Sequence, residues 1–282
     1  MFPENSPSSI QFFDATDPGV AAKMESVLEQ ESPRPEIGEL HDDQVSLPGG
    51  LVRHGTLVRT ARVRELTGAD EEELSRATTT EGMITTLLHR GVVSLGGAEL
   101  STPAVLDSML VGDRDALILG IRRACFGPTI DIEKYTCPGC SGEFALSIDL
   151  DDIPTVTSTT PGEMTIVVDL NRGRKARVKL VTGYDQLALL EASRTKKLTG
   201  AQQDTLLLSR TVLAIINADG TETEIGTNPD QARSLSIADR RAIMRDLQSR
   251  RPGPRMDEVK ITCPDCQLEQ EVSITVDLLF RG

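Results

Sequence analysis

Two Cys-Pro-x-Cys turns, Cys137-Pro138-Gly139-Cys140 and Cys263-Pro264-Asp265-Cys266, constrain this chain more than any other feature. A tight turn of this kind sets two sulfurs facing one point and aims backbone amides at them, which stabilises thiolates. Tetrahedral zinc in a structural site takes four ligands, with sulfur at about 2.3 Å. No histidine or third cysteine stands near either turn to complete a local set. The two pairs therefore meet at one ion or stay incomplete. Closing the long chain between them costs roughly 4 kcal/mol by loop-entropy scaling, against about 10–16 kcal/mol of apparent zinc binding in small Cys/His peptides. One structural Zn2+ held by Cys137, Cys140, Cys263 and Cys266 is the expectation. Three other readings stay open: a redox dithiol in each turn, plain turns with reduced thiols, and an iron–sulfur cluster. A redox CxxC usually opens a helix in a βαβ setting, whereas these turns sit between β-type runs. The clustered spacing of ferredoxins is missing.

The chain also repeats itself once, and self-similarity of this kind decides the architecture. Thr60-Ala61-Arg62-Val63-Arg64-Glu65-Leu66-Thr67-Gly68-Ala69-Asp70 resembles Lys175-Ala176-Arg177-Val178-Lys179-Leu180-Val181-Thr182-Gly183-Tyr184-Asp185, each a strand turning into a helix. Leu87 to Val93 resembles Leu207 to Leu213, each a helix end running into a β segment, and a turn follows at Gly96-Gly97 or Asp219-Gly220. In the Asp-Gly pair both positions tolerate positive φ, which suits a hairpin. Gly112-Asp113-Arg114 matches Ala238-Asp239-Arg240 at the start of a helix whose first amides Asp113 or Asp239 would cap. Gly127-Pro128 and Gly253-Pro254 would stop those helices. Each copy then closes with a hairpin around its knuckle: Ile130–Thr136 with Phe144–Leu150, and Glu258–Thr262 with Val272–Leu278.

These patterns predict an α+β protein, internally duplicated and two-lobed, each lobe strand plus helices ending in a zinc-knuckle β-hairpin, the two hairpins sharing one zinc site. The expected organisation is a disordered or docking N-terminal tail over 1–47, a first repeat over 48–153, a linker over 154–174 and a second repeat over 175–282. The tail is rich in Pro, Ser, Asp and Glu, yet Phe12, Phe13, Val20, Met24, Val27 and Leu28 gather two of the six Phe residues there. Such a segment cannot fold alone and can order on a partner. Those six residues are the candidate docking contacts.

Charge narrows the function classes. Forty-three acidic against 30 basic residues give a net charge of -13, which repels phosphate backbones and anionic membranes. No window reaches the roughly 20 apolar residues of a membrane-spanning helix, and the N-terminus lacks the order of a signal peptide. A cytoplasmic chain is expected, in whose reducing setting paired cysteines serve a metal more often than disulfides. Cys125 is left over as a small buried hydrophobe. His41, His54 and His89 pair with no nucleophile or carboxylate motif, Asp70-Glu71-Glu72-Glu73 reads as a solvated helix face, and Gly96-Gly97 lacks a phosphate-loop continuation. No catalysis and no small-molecule substrate are expected.

Leu47-Pro48-Gly49-Gly50, Arg62-Val63-Arg64 with Thr67-Gly68, Gly112-Asp113-Arg114 and Cys137-Pro138-Gly139-Cys140 together resemble the baseplate hub assembly proteins of contractile-tailed phages, which also occur in phage-tail-like injection systems of bacteria. The resemblance covers about residues 45–150, and the second half looks like a further copy. It implies a structural or assembly part in the platform where tube, sheath and spike meet, with baseplate, hub, tube or spike proteins as partners and no enzyme activity. The long N-terminal segment and the second knuckle depart from the simpler pattern. The competing class is a zinc-ribbon module binding nucleic acid or a transcription complex. Against it, the knuckles sit among Asp131, Glu133, Glu143, Asp265, Glu269 and Glu271. A thiol oxidoreductase is the third reading.

Overall fold

The computed structural model describes residues 43–100 and 102–280. All lie in one compact unit, His41–Gly282. Phe12, Phe13, Val20, Met24, Val27 and Leu28 fall outside the described residues. Strands β1 (Gln44–Arg53) and β2 (Thr56–Val63) lead into helices α1 (Gly68–Ser75) and α2 (Thr80–Gly91), strands β3 (Val92–Leu95) and β4 (Ala98–Glu99), and helices α3 (Ala104–Ser108) and α4 (Val111–Phe126). The hairpin β5 (Thr129–Thr136) and β6 (Glu143–Asp149) follows, then a short β7 (Thr155–Val156). The second half runs β8 (Thr165–Asp169), β9 (Lys175–Lys179), α5 (Gly183–Thr195), α6 (Gly200–Thr211), β10 (Val212–Ile216), β11 (Glu222–Glu224), α7 (Pro229–Ser234) and α8 (Ile237–Arg250). It ends with β12 (Gly253–Pro254), the hairpin β13 (Val259–Thr262) and β14 (Glu269–Val272), and α9 (Val276–Phe280). Two four-stranded antiparallel sheets result, in the orders β1-β2-β3-β4 and β8-β9-β10-β11.

Local chemistry explains the helix starts. Thr67 and Thr182 each form a capping box with Asp70 and Asp185, so two free amides are satisfied at the head of α1 and of α5. Thr79 Oγ1 accepts from Gly82 N at 3.1 Å before α2. Buried Ile84, Leu87, Leu88 and Gly91 recur at helical spacing along α2 and form its core stripe. One apolar core is built around β1, β2, α2 and α4, and Val259, Ile274 and Leu279 of the second half enter it. A second core surrounds β8–β10, α6 and α8, and Leu110 of the first half enters that one.

Several expectations meet a different structure. Gln44–Leu47, placed in the tail, belong to β1, with Leu47 buried. The 154–174 stretch holds β7 and β8, because β8 completes the second sheet beside β9. Asp113 and Asp239 do not cap their own helices. Asp113 Oδ1 accepts from Gly49 N at 2.7 Å, in the irregular stretch of β1, and Asp239 Oδ1 accepts from Asn171 N at 3.2 Å. Ser236 Oγ caps α8 instead, accepting from Asp239 N at 3.1 Å. In the Asp219-Gly220 turn only Gly220 has positive φ, and the Asp219 carboxylate accepts from Thr221 N at 2.9 Å. Gly127 has φ 80 just past α4, as a stop should. Gly253-Pro254 is no stop: α8 ends at Arg250, and the pair bridges to Thr155–Val156. The Val272–Leu278 run splits, because Thr275 Oγ1 accepts from Leu278 N at 3.2 Å and starts α9. Burial of Ile274 and Leu279 in the first core pulls that segment out of the hairpin plane.

Candidate metal centre

Each cysteine pair sits at the tip of a hairpin with the same backbone closure. In the first, Cys137 N donates to Gly142 O at 2.9 Å and Ser141 N to Cys137 O at 2.8 Å. In the second, Cys263 N donates to Leu268 O at 3.0 Å and Gln267 N to Cys263 O at 3.0 Å. The residue after each second cysteine, Ser141 (φ 60) and Gln267 (φ 59), takes the left-handed conformation that curls the chain over its sulfurs. Amides then point inward: Gly139 N lies 3.4 Å from Cys137 Sγ, and Gly142 N 3.4 Å from Cys140 Sγ.

The hairpins bring all four sulfurs together. Cys137 Sγ and Cys266 Sγ are 3.7 Å apart, Cys140 Sγ and Cys263 Sγ are 3.8 Å apart, and all four lie within 4.8 Å of one another. No pair is a disulfide. A tetrahedron with metal–sulfur bonds of about 2.3 Å has edges of about 3.8 Å, so the cluster has the size of one four-thiolate site. Cys137 and Cys263 are buried and Cys140 and Cys266 exposed, which leaves a path for an ion. The sequence placed these four residues at one point, and they are the only such group of His, Cys, Asp or Glu among the described residues.

The hairpins touch beyond the sulfurs. Tyr135 Oη is 3.3 Å from Gln270 Oε1, and Tyr135 packs edge-on against Phe144 at 5.5 Å between centroids. A Cβ at Gly139 would meet the Leu268 side chain at 2.7 Å, and one at Gly142 would meet Asp265 Oδ2 at 2.7 Å, so the two knuckles face each other closely. The four thiols perturb one another. The Cys140 amide, with that of Gly139, draws the Cys137 thiol down to about 7. Cys266 receives the Leu268 amide, yet desolvation and the neighbouring sulfurs push it up to about 12. Crowded thiolates cannot all ionise unless positive charge sits between them.

The other singled-out residues lie elsewhere. His54 is in the β1–β2 turn with φ 50, and His89 is half-buried in α2, where burial lowers its pKa. His41 is outside the described residues. Cys125 is half-buried, its Sγ 3.3 Å from Leu66 N. Sequence reasoning missed the buried ionic groups. Asp185 meets Lys179 at 2.8 Å and Arg210 at 3.0 Å, and Asp70 meets Arg64 at 2.8 Å and Arg90 at 3.9 Å. The Thr-Gly-x-Asp spacing common to both was their signal.

Fold and site thus define a mixed α/β protein in which a cluster of four cysteines that could hold a metal ion joins the tips of two hairpins, with no described helix long and apolar enough to cross a membrane. Residues 52–275 match the family described as T4 bacteriophage base plate protein, and the chain belongs to that family. This supports a structural role in a phage baseplate. Neither the curated proteins nor the solved structures contain a match.

Proposed function

We propose that this chain is a structural or assembly component of the baseplate of a contractile phage tail or phage-tail-like injection system, and that one Zn2+ bound by Cys137, Cys140, Cys263 and Cys266 holds it together. The observation that carries the metal reading is the pair of cross-hairpin sulfur distances, 3.7 and 3.8 Å, which match a tetrahedral edge of about 3.8 Å. The role is non-enzymatic: the chemistry these four residues support is closed coordination by four thiolates, without the open position that catalytic zinc keeps. Baseplate, hub, tube or spike proteins are its partners, and the segment carrying Phe12, Phe13, Val20, Met24, Val27 and Leu28 is a docking element for them.

The same proposal includes an internal duplication. In support, the order of two strands, two helices, two strands, two helices and a hairpin occurs twice, interrupted in the second copy only by the two-residue β12 before the hairpin, with the same strand order in each four-stranded sheet. The capping boxes at Thr67–Asp70 and Thr182–Asp185 correspond, as do the carboxylates of Asp113 and Asp239 that leave their helices for a distant amide. Arg114 Nη1 and Arg240 Nη1 each donate to the carbonyl eight residues back, Leu106 O and Ala232 O, both at 3.1 Å.

Elemental analysis of the full chain, purified without added metal, tests the centre. One zinc per chain is expected, and its loss in Cys140→Ser with Cys266→Ser. Metal-free protein with an intact fold would refute the reading, and iron in place of zinc would reassign the ion.

A further inference from the structure

The two halves meet through a small backbone junction. Val111 N donates to Val181 O at 3.0 Å, Gly183 N donates to Met109 O at 2.9 Å, and Leu110 and Thr182 form an antiparallel bridge between them. The α3–α4 corner of the first half is thus seated on the β9–α5 corner of the second. Contact is so close that a Cβ on Gly183 would lie 2.1 Å from Arg114 Nη1.

Under the duplication proposed above, on which this inference rests, each partner in that junction has an unused counterpart. Val111, 8% exposed, corresponds to Ile237, 70% exposed at the start of α8. Thr182, 6% exposed, corresponds to Thr67, which is exposed. Gly68 corresponds to Gly183, but a Cβ there would meet nothing within 4 Å, and its φ is not positive. Nothing among the described residues requires glycine at 68. The seat that Leu110–Gly112 occupies is bordered by Leu180, Val181, Leu247 and Arg251. Glu65, Leu66 and Cys125, the counterparts of Leu180, Val181 and Arg251, border an open cavity of about 420 Å³ that also reaches Thr67, Gly68 and Phe126. Among the described residues, Leu66 O, Gly68 N, Leu235 O and Ile237 N have no hydrogen-bond partner, and these are the counterparts of the four groups bonded in the junction. The charges are complementary: Glu65 and Glu71 flank the open seat, and Arg233, Arg240 and Arg241 flank the free corner.

We propose that the open Leu66–Gly68 seat of one molecule receives the Leu235–Ile237 corner of a second copy of this chain, repeating between molecules the contact that joins the two halves within one. Seat and corner are different surfaces, so the association is head-to-tail and each added copy presents both again. Such contacts produce a closed ring or an open array. Gly68 is then glycine for the reason Gly183 is: an arginine of the neighbouring corner, Arg240, passes over it.

Sedimentation velocity on the full chain over a wide concentration range tests this. Wild type is expected to self-associate. Gly68→Leu, which faces open space in the single chain, and Ile237→Asp are each expected to weaken association about ten-fold or more. For a positive readout, Thr67→Cys in one copy and Ser236→Cys in another replace the counterparts of Thr182 and Leu110. That pair is flanked rather than joined by hydrogen bonds, so its Cα atoms lie about 4.5 Å apart, within disulfide reach. Mild oxidation of the mixture should give a covalent dimer linked at the two introduced thiols, and neither variant alone should. A wild-type chain that stays monomeric, association unchanged in both surface variants, or association only upon adding a different baseplate protein would each overturn the proposal. Leu110→Cys with Thr182→Cys reports the parent junction, and failure of that link within one chain would remove the template. Metal content of the same samples separates the two readings. Metal-loaded monomer overturns the head-to-tail contact alone, and metal-free protein that cross-links as described leaves it standing.

Discussion

Asp113 carries the most informative single side chain outside the cysteines. It is fully buried, and although Gly49 and Gly50 donate amides to it, burial pushes its carboxyl up to about 6. The folded state therefore holds this proton to higher pH than the unfolded chain, whose aspartates titrate near 3.9. The stabilising contribution is complete below about pH 4 and lost as pH rises through about 6, a change of about 2–3 kcal/mol. Urea unfolding between about pH 4 and pH 7 should show wild type losing that much more than Asp113→Asn. Equal losses would mean that Asp113 is ionised throughout. Asp185 has the opposite sign: burial raises it, but Lys179 and the Thr182 groups outweigh burial and hold it below its ordinary value. Its contribution is present above about pH 4 and lost as pH falls. Asp185→Ala removes the capping box and the partner of two cations together, and should cost about 1–3 kcal/mol at neutral pH, read from the urea midpoint.

At the scale of elements, the halves are fitted by close backbone approaches as much as by apolar area. A Cβ at Gly112 would fall 1.6 Å from Pro252 O, and Gly253 holds φ 121 against the same turn of α4. Gly112→Ala should therefore force the start of α4 away from β12 and cost about 3 kcal/mol, whereas Gly68→Ala should cost nothing measurable in thermal unfolding. Helix α9 is pinned in turn: Phe280 packs edge-on against Phe126 at 6.3 Å, with Arg122 4.7 Å over the Phe126 ring. The strand-to-helix turns at Thr67-Gly68 and Thr182-Gly183 were legible in the repeated Thr-Gly-x-Asp pattern, because capping is a local interaction. The β12 pairing and the α9 turn were not, since burial in the other half overrides a period-2 pattern.

For the whole molecule, Cys140 and Cys263 lie 123 residues apart, so an ion joining them closes nearly half the chain into one loop at roughly 4 kcal/mol of entropy. Zinc binding of about 10–16 kcal/mol in small peptides exceeds that cost. Chelation should then lower stability by several kcal/mol. Hydrogen exchange would register it first in the hairpins Thr129–Asp149 and Val259–Val272, while the two four-stranded sheets stay protected. Uniform loss of protection would show instead that the sheets depend on the metal as much as the hairpins do. The net charge of -13 opposes association of copies generally, so any contact between them has to rely on local complementarity of the kind flanking Ile237 and Gly68.

The sequence alone determined the cysteine pairs and the strand–helix alternation, because ligand spacing and periodicity act within a few residues. It also carried the family likeness, written in short motifs such as Thr67-Gly68 and Cys137-Pro138-Gly139-Cys140, which fall within the matched residues 52–275. Only the tertiary structure decided where Asp113 and Asp239 send their carboxylates, that Gln44–Leu47 join the first sheet, and that the α3–α4 corner seats on the β9–α5 corner. Those outcomes depend on which surfaces exclude water against each other, and residues distant in the chain settle that jointly.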